Sequence, residues 1–302
     1  MIWATKTNTR ALSKGITRVE DGFLRSRGLG ADLVAPLSLV LDDLGIYYDA
    51  TTQSRLEHLI TEAASLPQDH LKRAPRLVES IKRLGLSKYN TGGKPRPRPG
   101  TRKGVCILVP GQVEDDASIL MGAHGIKTNL DLLKAARAAN PNATLLYKPH
   151  PDVEAGLRPG IIDTDDLNGL ANDVLNKTDP IMAIEAAHEV WTITSLLGFE
   201  ALLRGRRVTC LGMPFYAGWG LTNDLAPAPK RRKARPSIDA LAHAVLISYP
   251  RYQDPKTNRP CPPEVIVERL RTGDGQRSGP VNRTLAKAQG ALAPYSALWR
   301  RQ

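Results

Sequence analysis

Residues 92–100 read Gly92-Gly93-Lys94-Pro95-Arg96-Pro97-Arg98-Pro99-Gly100. No helix or central strand passes through such a run, because each proline fixes φ and removes a backbone donor. A chain of 302 residues is long enough for two ordinary domains. The run therefore marks a boundary between a first lobe over 1–100 and a second over 101–250, followed by C-terminal helices and a tail over 251–302.

The two sides of the boundary carry different patterns. In the first region, apolar runs over 16–19 and 36–41 end in Glu20-Asp21-Gly22-Phe23 and Asp42-Asp43, as short buried strands ending in acidic turns do. Leu56, Leu59, Ile60 and Ala63 recur at helical spacing, and Leu77, Ile81 and Leu84 repeat that spacing before Gly85. Beyond the boundary, strands are expected over 105–109, 144–147, 190–194 and 207–211. Helices are expected over 129–139, 179–187, 198–203, 238–247 and 264–271. This alternation predicts a parallel, Rossmann-like sheet, and ligands of such sheets bind outside the carboxyl ends of the strands.

Composition narrows the classes. A 41% apolar and 24% charged chain can bury a substantial core, but only 5% of it is aromatic, so aliphatic side chains must supply most of that core. No apolar stretch approaches the roughly 20 residues of a membrane span, and no signal-peptide pattern follows Met1, so a cytoplasmic location is expected. Cys106, Cys210 and Cys261 are widely separated, which points to neither a disulfide framework nor a zinc site. The net charge of +12 favours anionic partners: nucleic acid, lipid headgroups or an acidic sugar nucleotide. The basic clusters at 94–103 and 230–235 lack the aromatics of a base-stacking platform, which argues against nucleic acid.

Polar clusters fall where strands end. Glu114-Asp115-Asp116 follows Gly111-Gln112 after the first strand of the second lobe, and three adjacent carboxylates suit either a solvated turn or a site that uses them. Lys148-Pro149-His150-Pro151-Asp152 follows the next strand, with prolines fixing the imidazole between them and Lys148 adding positive charge, a frame suited to phosphate. Thr194-Ser195 precedes Gly198-Phe199-Glu200 at a helix start, which can cradle an anion or simply cap the helix. In the first lobe, Arg18, Glu20, Asp21, Arg25 and Ser26 crowd the turn at Gly22, either as a surface ion network or as an acid/base group facing the second lobe.

Taken in order, these segments resemble the KpsC family of capsule polysaccharide proteins. The resemblance is carried by Glu20-Asp21-Gly22-Phe23-Leu24-Arg25-Ser26, Gly45-Ile46-Tyr47-Tyr48-Asp49-Ala50, Gly111-Gln112-Val113-Glu114-Asp115-Asp116 and Tyr147-Lys148-Pro149-His150-Pro151-Asp152. It continues through Thr194-Ser195-Leu196-Leu197-Gly198-Phe199-Glu200 and Pro214-Phe215-Tyr216-Ala217-Gly218-Trp219-Gly220. The likeness extends to about residue 252 and is stronger to the second module of these two-module proteins.

The resemblance implies an α/β fold of two Rossmann-like lobes of the glycosyltransferase-B type, with the first lobe short at its start. It implies a retaining β-Kdo transferase that takes CMP-Kdo and extends a lipid-linked Kdo acceptor at the inner leaflet of the inner membrane, alongside other capsule assembly proteins. By the same resemblance Asp116 is the nucleophile, Glu20 with Asp21 the acid/base side, and Gln112, Lys148, His150, Pro151, Thr194, Ser195 and Glu200 bind CMP-Kdo. Neither metal nor cofactor is implied. The alternatives are a different nucleotide-sugar transferase, or a catalytically silent assembly or export partner that keeps the cleft as a binding surface.

Overall fold

The structure, a computed structural model, describes residues 1–4, 16–28, 34–90 and 104–274. The proline-rich boundary, the basic cluster at 94–103 and the tail beyond Asp274 lie outside these residues. In chain order the strands are β1 (Ile2–Trp3), β2 (Arg18–Asp21), β3 (Ser38–Asp42), β4 (Cys106–Pro110), β5 (Thr144–Lys148), β6 (Asp173–Val174), β7 (Glu189–Thr192), β8 (Arg207–Cys210), β9 (Asn223–Asp224), β10 (Pro250–Gln253) and β11 (Pro260–Cys261). They form two sheets.

The sheet of the second lobe has the order β6-β5-β4-β7-β8-β9, and every pairing in it is parallel. Parallel strands covered on both faces need apolar residues at every position rather than at alternate ones. Cys106–Pro110 is buried throughout. Alternate residues serve opposite layers. Ile107 and Val109 pack with Leu132, Leu133 and Trp191, under the Asn129–Ala139 helix. Leu108, Leu146 and Val190 pack with Phe199 and Leu203 of the Leu196–Leu203 helix on the other face.

The chain builds β4, β5 and β6 outward in one direction and then returns to place β7, β8 and β9 on the other side of β4. The order thus reverses between β4 and β7, and the open crevice of such a sheet lies above that reversal, at the carboxyl ends of the strands.

The sheet of the first lobe is mixed, with the order β1-β2-β3-β10-β11. β1 pairs parallel to β2, and the β2–β3, β3–β10 and β10–β11 pairings are antiparallel. The stretch after residue 250, read from sequence as separate C-terminal helices, therefore supplies two strands to the first sheet before forming the Pro263–Thr272 helix.

Asp42 is the fastening point of this lobe. Its buried carboxylate accepts backbone N–H bonds from Leu44, Gly45 and Arg55 and a 2.8 Å bond from the Tyr249 hydroxyl. Tyr249 is delivered by the helix expected over 238–247, which turns from α at Ile238–His243 to π at Ala244–Ser248.

The three phenylalanines of the chain meet at the seam between the lobes. Phe23 lies 5.1 Å from Phe215 and 6.3 Å from Phe199, while Phe199 and Phe215 are 5.4 Å apart. Tyr47 joins them, 5.0 Å from Phe23 and 5.8 Å from Phe215. Such ring pairs add about 0.5–1.5 kcal/mol each beyond area burial. The scarce aromatics are thus spent on the seam.

Charge also crosses it. Buried Glu57 accepts from Arg231 Nε at 2.6 Å and from Arg232 Nε at 2.7 Å, and Arg232 also donates to the carbonyls of Pro214 and Ala217. Part of the basic cluster at 230–235 is therefore consumed internally and is not open to an anionic partner. Lys230, Lys233 and Arg235 remain exposed.

Candidate functional site

A cavity of about 650 Å³ opens between the two lobes, above the β4/β7 reversal. All ten residues singled out from the sequence line it: Glu20, Asp21, Gln112, Asp116, Lys148, His150, Pro151, Thr194, Ser195 and Glu200.

The strand ends of the second lobe are tied to one another. Gln112 lies just past β4 and is buried. Its Nε2 donates to Thr194 Oγ1 at 2.9 Å, and its Oε1 accepts from the Thr194 N–H at 2.9 Å. Its backbone N–H donates to Asn129 Oδ1 at 2.8 Å. This side chain stitches the loop after β4 to the loop after β7, so it fixes the width of the crevice.

The three consecutive acids separate into three tasks. Glu114 accepts the Asn129 N–H at 2.7 Å and so holds the start of a helix. Asp115 pairs with Arg158 at 2.7 Å near the cavity mouth. Asp116 is the N-cap of the Ala117–Gly122 helix, with Oδ1 accepting from Ser118 N at 2.9 Å and Ser118 Oγ at 2.7 Å. The cap fixes the rotamer of Asp116, and its Oδ2 takes no hydrogen bond among the described residues. An exposed, oriented carboxylate oxygen remains at the cavity wall.

His150 is also a helix cap. Its Nδ1 accepts the Asp152 N–H at 3.2 Å, ahead of Pro151 at the first helical position. Burial pushes the imidazole pKa down and Lys148 adds to this, against the pull of Asp152. A neutral ring that accepts at Nδ1 carries its proton on Nε2, which leaves that N–H as a donor. Lys148 beside it is 4% exposed, and burial lowers its ammonium from the ordinary value, against Glu154 and Asp179.

Ser195 caps the Leu196–Leu203 helix, accepting Leu197 N–H at 3.2 Å, while its own N–H donates to Thr192 Oγ1 at 3.0 Å. The Ser195 carbonyl accepts from the Tyr216 hydroxyl, and that approach requires Gly198, where a Cβ would lie 2.2 Å from the same oxygen. Of the two readings of Ser195, the cap is the one its hydrogen bonds show.

From the first lobe, β2 brings Glu20 and Asp21 to the cavity edge. Gly22 follows because a Cβ there would sit 2.3 Å from Ser38 Oγ. Asp21 is paired with Arg25, whose Nη1 is held by Ser26 Oγ and the Val34 carbonyl at 2.9 Å each. Glu20 Oε1 accepts the Asp21 N–H at 3.0 Å, whereas Glu20 Oε2 and Asp21 Oδ1 are buried without a partner among the described residues. Burial raises the Glu20 pKa above the usual carboxylate range, with Asp21 and Asp116 adding to it against Lys88.

Two features of the site were not singled out from the sequence. One is the segment Ser87-Lys88-Tyr89, which lines the cavity at the seam. Glu200, buried on the Leu196–Leu203 helix, accepts the Lys88 N–H at 2.9 Å, and burial pushes its carboxyl up to about 7. The Lys88 carbonyl accepts from the N–H groups of Arg25 and Ser26. The other is the pair Arg158 and Lys177, which with Lys148 gives the second-lobe wall three cations. Arg158 lies a few positions past the Pro151–Glu154 helix and Lys177 a few past β6, and neither stands in a spacing that singles it out.

The family described as "Capsule polysaccharide biosynthesis protein" matches residues 6–91 and 92–252. The chain belongs to that family. Its relatives include the capsule polysaccharide modification protein LipA of Neisseria meningitidis serogroup A, 49% identical over 255 residues that make up 84% of this chain and 36% of LipA. They also include the lipopolysaccharide-processing protein LpsZ of Rhizobium meliloti, 46% identical over 83% of this chain and 57% of LpsZ. The chain thus spans about a third to just over half the length of these curated family members.

Two solved structures have the same fold. Thermosulfurimonas dismutans KpsC, beta Kdo 2,7 transferase, is 38% identical with a TM-score of 0.73, over 90% of this chain and 83% of that one. The beta Kdo 2,4 transferase of the same protein is 34% identical with a TM-score of 0.80, over 90% of this chain and 86% of that one. The α/β fold expected from the sequence is that of a KpsC-type glycosyltransferase.

Proposed function

We propose that this chain is a Kdo transferase module of capsule polysaccharide assembly, which moves Kdo from CMP-Kdo to a lipid-linked acceptor that already carries Kdo. The observation that carries the reading is the convergence of all ten sequence-selected residues on one cavity at the switch point of the parallel sheet. The two Kdo transferase neighbours support the choice of sugar.

The residues suit a double displacement with retention. Asp116, its rotamer fixed by Ser118, attacks the anomeric carbon, and the bond from that carbon to the CMP phosphate oxygen breaks as the bond to Asp116 forms. The negative charge gathering on the phosphate meets Lys148, the Nε2–H of His150, Arg158 and Lys177 on the same wall. No proton donor is needed for that leaving group. In the second step an acceptor hydroxyl attacks the same carbon, and Glu20 takes its proton as the bond to Asp116 breaks. A carboxylate raised by burial is a stronger base than an exposed one, which suits Glu20 to this step.

Gln112 and Thr194 set the spacing between the strand ends, and Glu200 couples the donor helix to the first-lobe segment at Lys88. The acceptor is reached from the inner leaflet, to which the exposed part of the basic surface is attracted. Among the described residues no helix is long and apolar enough to cross a membrane.

The test is transfer itself. The purified chain is incubated with CMP-Kdo generated in place and a synthetic lipid-like acceptor ending in β-Kdo, and acceptor mass is followed. A gain of one or more Kdo units is expected, with linkage read from the product. CMP binding without any gain would instead favour the silent, binding-only reading.

A further inference from the structure

Among the described residues that line the cavity, Lys88 is the one cation from the first lobe. Among the described residues its Nζ donates no hydrogen bond and has no carboxylate oxygen within 4.0 Å. The neighbour that it does have is the ring of Tyr89, 5.2 Å away. Three N–H donors on a half-buried ammonium are costly to leave unmet, and a wall of a site that does so is set up for an anion.

The backbone around Lys88 is held at three points: its N–H on Glu200, and its carbonyl on Arg25 and Ser26. The position is therefore preorganised across both lobes. Burial alone would lower the ammonium, but Tyr47, Tyr89, Asp21 and Glu20 outweigh it and keep Lys88 charged.

The same neighbours choose the anion. A phosphate at Lys88 would face Glu20 and Asp21 and would stand away from the cations suited to it, Lys148, Arg158 and Lys177, on the opposite wall. A single carboxylate on a polyhydroxylated ring brings one charge, and Tyr47, Tyr48 and Ser87 line the wall beside it. We propose that the Lys88 ammonium receives the carboxylate of a Kdo residue held on the first-lobe side of the cavity. This deepens the transferase reading and rests on it for the identity of the sugar. The carboxylate comes from either the acceptor's terminal Kdo or the donor's.

Two calorimetric titrations of the full chain separate these sources. In the first, with CMP in excess, methyl β-Kdo glycoside is compared with its C1 amide. In the second, CMP-Kdo is compared with CMP. Where the acceptor is the source, the unsubstituted chain binds the acid roughly 10–100-fold tighter than the amide, the range set by a hydrogen-bonded charge. Lys88→Gln then binds both at the amide's affinity, and Lys88→Arg keeps the preference. Where the donor is the source, the advantage of CMP-Kdo over CMP is what Lys88→Gln loses and Lys88→Arg keeps.

Acid preference and donor advantage both undiminished in Lys88→Gln would overturn the proposal. Their absence from the unsubstituted chain while CMP binds would overturn it as well. Failure of CMP to bind at all would count against the transferase reading instead, and the acid-against-amide comparison would still decide Lys88.

Discussion

The two lobes reach the same cavity by different means. The second lobe is a parallel sheet in which the ends of β4, β5 and β7 each deliver one functional cluster to the same edge. The first lobe is a mixed sheet closed by strands from the far end of the chain, and it delivers Glu20, Asp21 and Lys88 through contacts that join distant segments. The second lobe provides the fixed carboxylate Asp116 and the cations, while the first provides a buried carboxylate and an unmatched ammonium. Chemistry that needs one group from each side therefore depends on the seam as much as on either wall.

The sharpest separation of the lobes is at the reacting groups. Asp116→Asn is expected to lower transfer by at least about 10³-fold, since a nucleophile cannot be replaced by binding. CMP affinity, measured by calorimetry, should stay within about 2-fold. A matching loss of CMP binding would move Asp116 from the chemistry to the cradle.

The seam itself is tested at Glu57. Removing its carboxylate leaves Arg232 buried without its partner, a change that costs about 3–5 kcal/mol. Glu57→Gln should lower Tm strongly in a thermal unfolding scan, whereas Asp43→Asn, which breaks the exposed pair with Arg55, should cost about 0–1 kcal/mol. Equal effects would mean that the Glu57 bridge carries no special share of the seam.

His150→Ala removes the Nε2–H donor on the second-lobe wall and should weaken CMP binding by roughly 10-fold, the worth of one charge-assisted hydrogen bond. Unchanged CMP affinity would remove His150 from the phosphate site.

The last effect concerns pH. Glu200 has its carboxyl raised by burial to about 7, so its contribution to stability is complete below the ordinary carboxylate range and is lost as pH rises through about 7. Glu200→Gln should flatten the Tm-versus-pH curve between about pH 4.5 and 7 and remove a penalty on the order of 1–3 kcal/mol above it. A curve as steep as that of the unsubstituted chain would place the titration elsewhere.

The same contrast explains what the sequence revealed. β4 is a continuous apolar run and β5 carries Leu145-Leu146-Tyr147 at its centre because both faces are covered, and the helix over 129–139 has the bounds that its pattern indicates. Clusters placed directly after such strands could only converge, as Gln112, His150 and Thr194 do. β10 and β11 are short and begin with proline, and pairing with β3 is set by a partner some 200 residues away, which no local pattern records. Lys88 follows the Arg73–Arg83 helix with no periodicity of its own, and its place depends on Glu200. Arg231 and Arg232 read as part of the basic cluster at 230–235 until Glu57, remote in sequence, is seen between them.

In the proposed mechanism one sugar passes from Asp116 on one lobe to an acceptor deprotonated by Glu20 on the other. Intact-protein mass spectrometry of Glu20→Gln with CMP-Kdo tests it most directly, because blocking the second step should leave the first product on the enzyme. The expected result is a mass increase of one Kdo residue that maps to Asp116 and is absent from the Asp116→Asn, Glu20→Gln double variant. Release of CMP with no adduct, or an adduct on another residue, would contradict it.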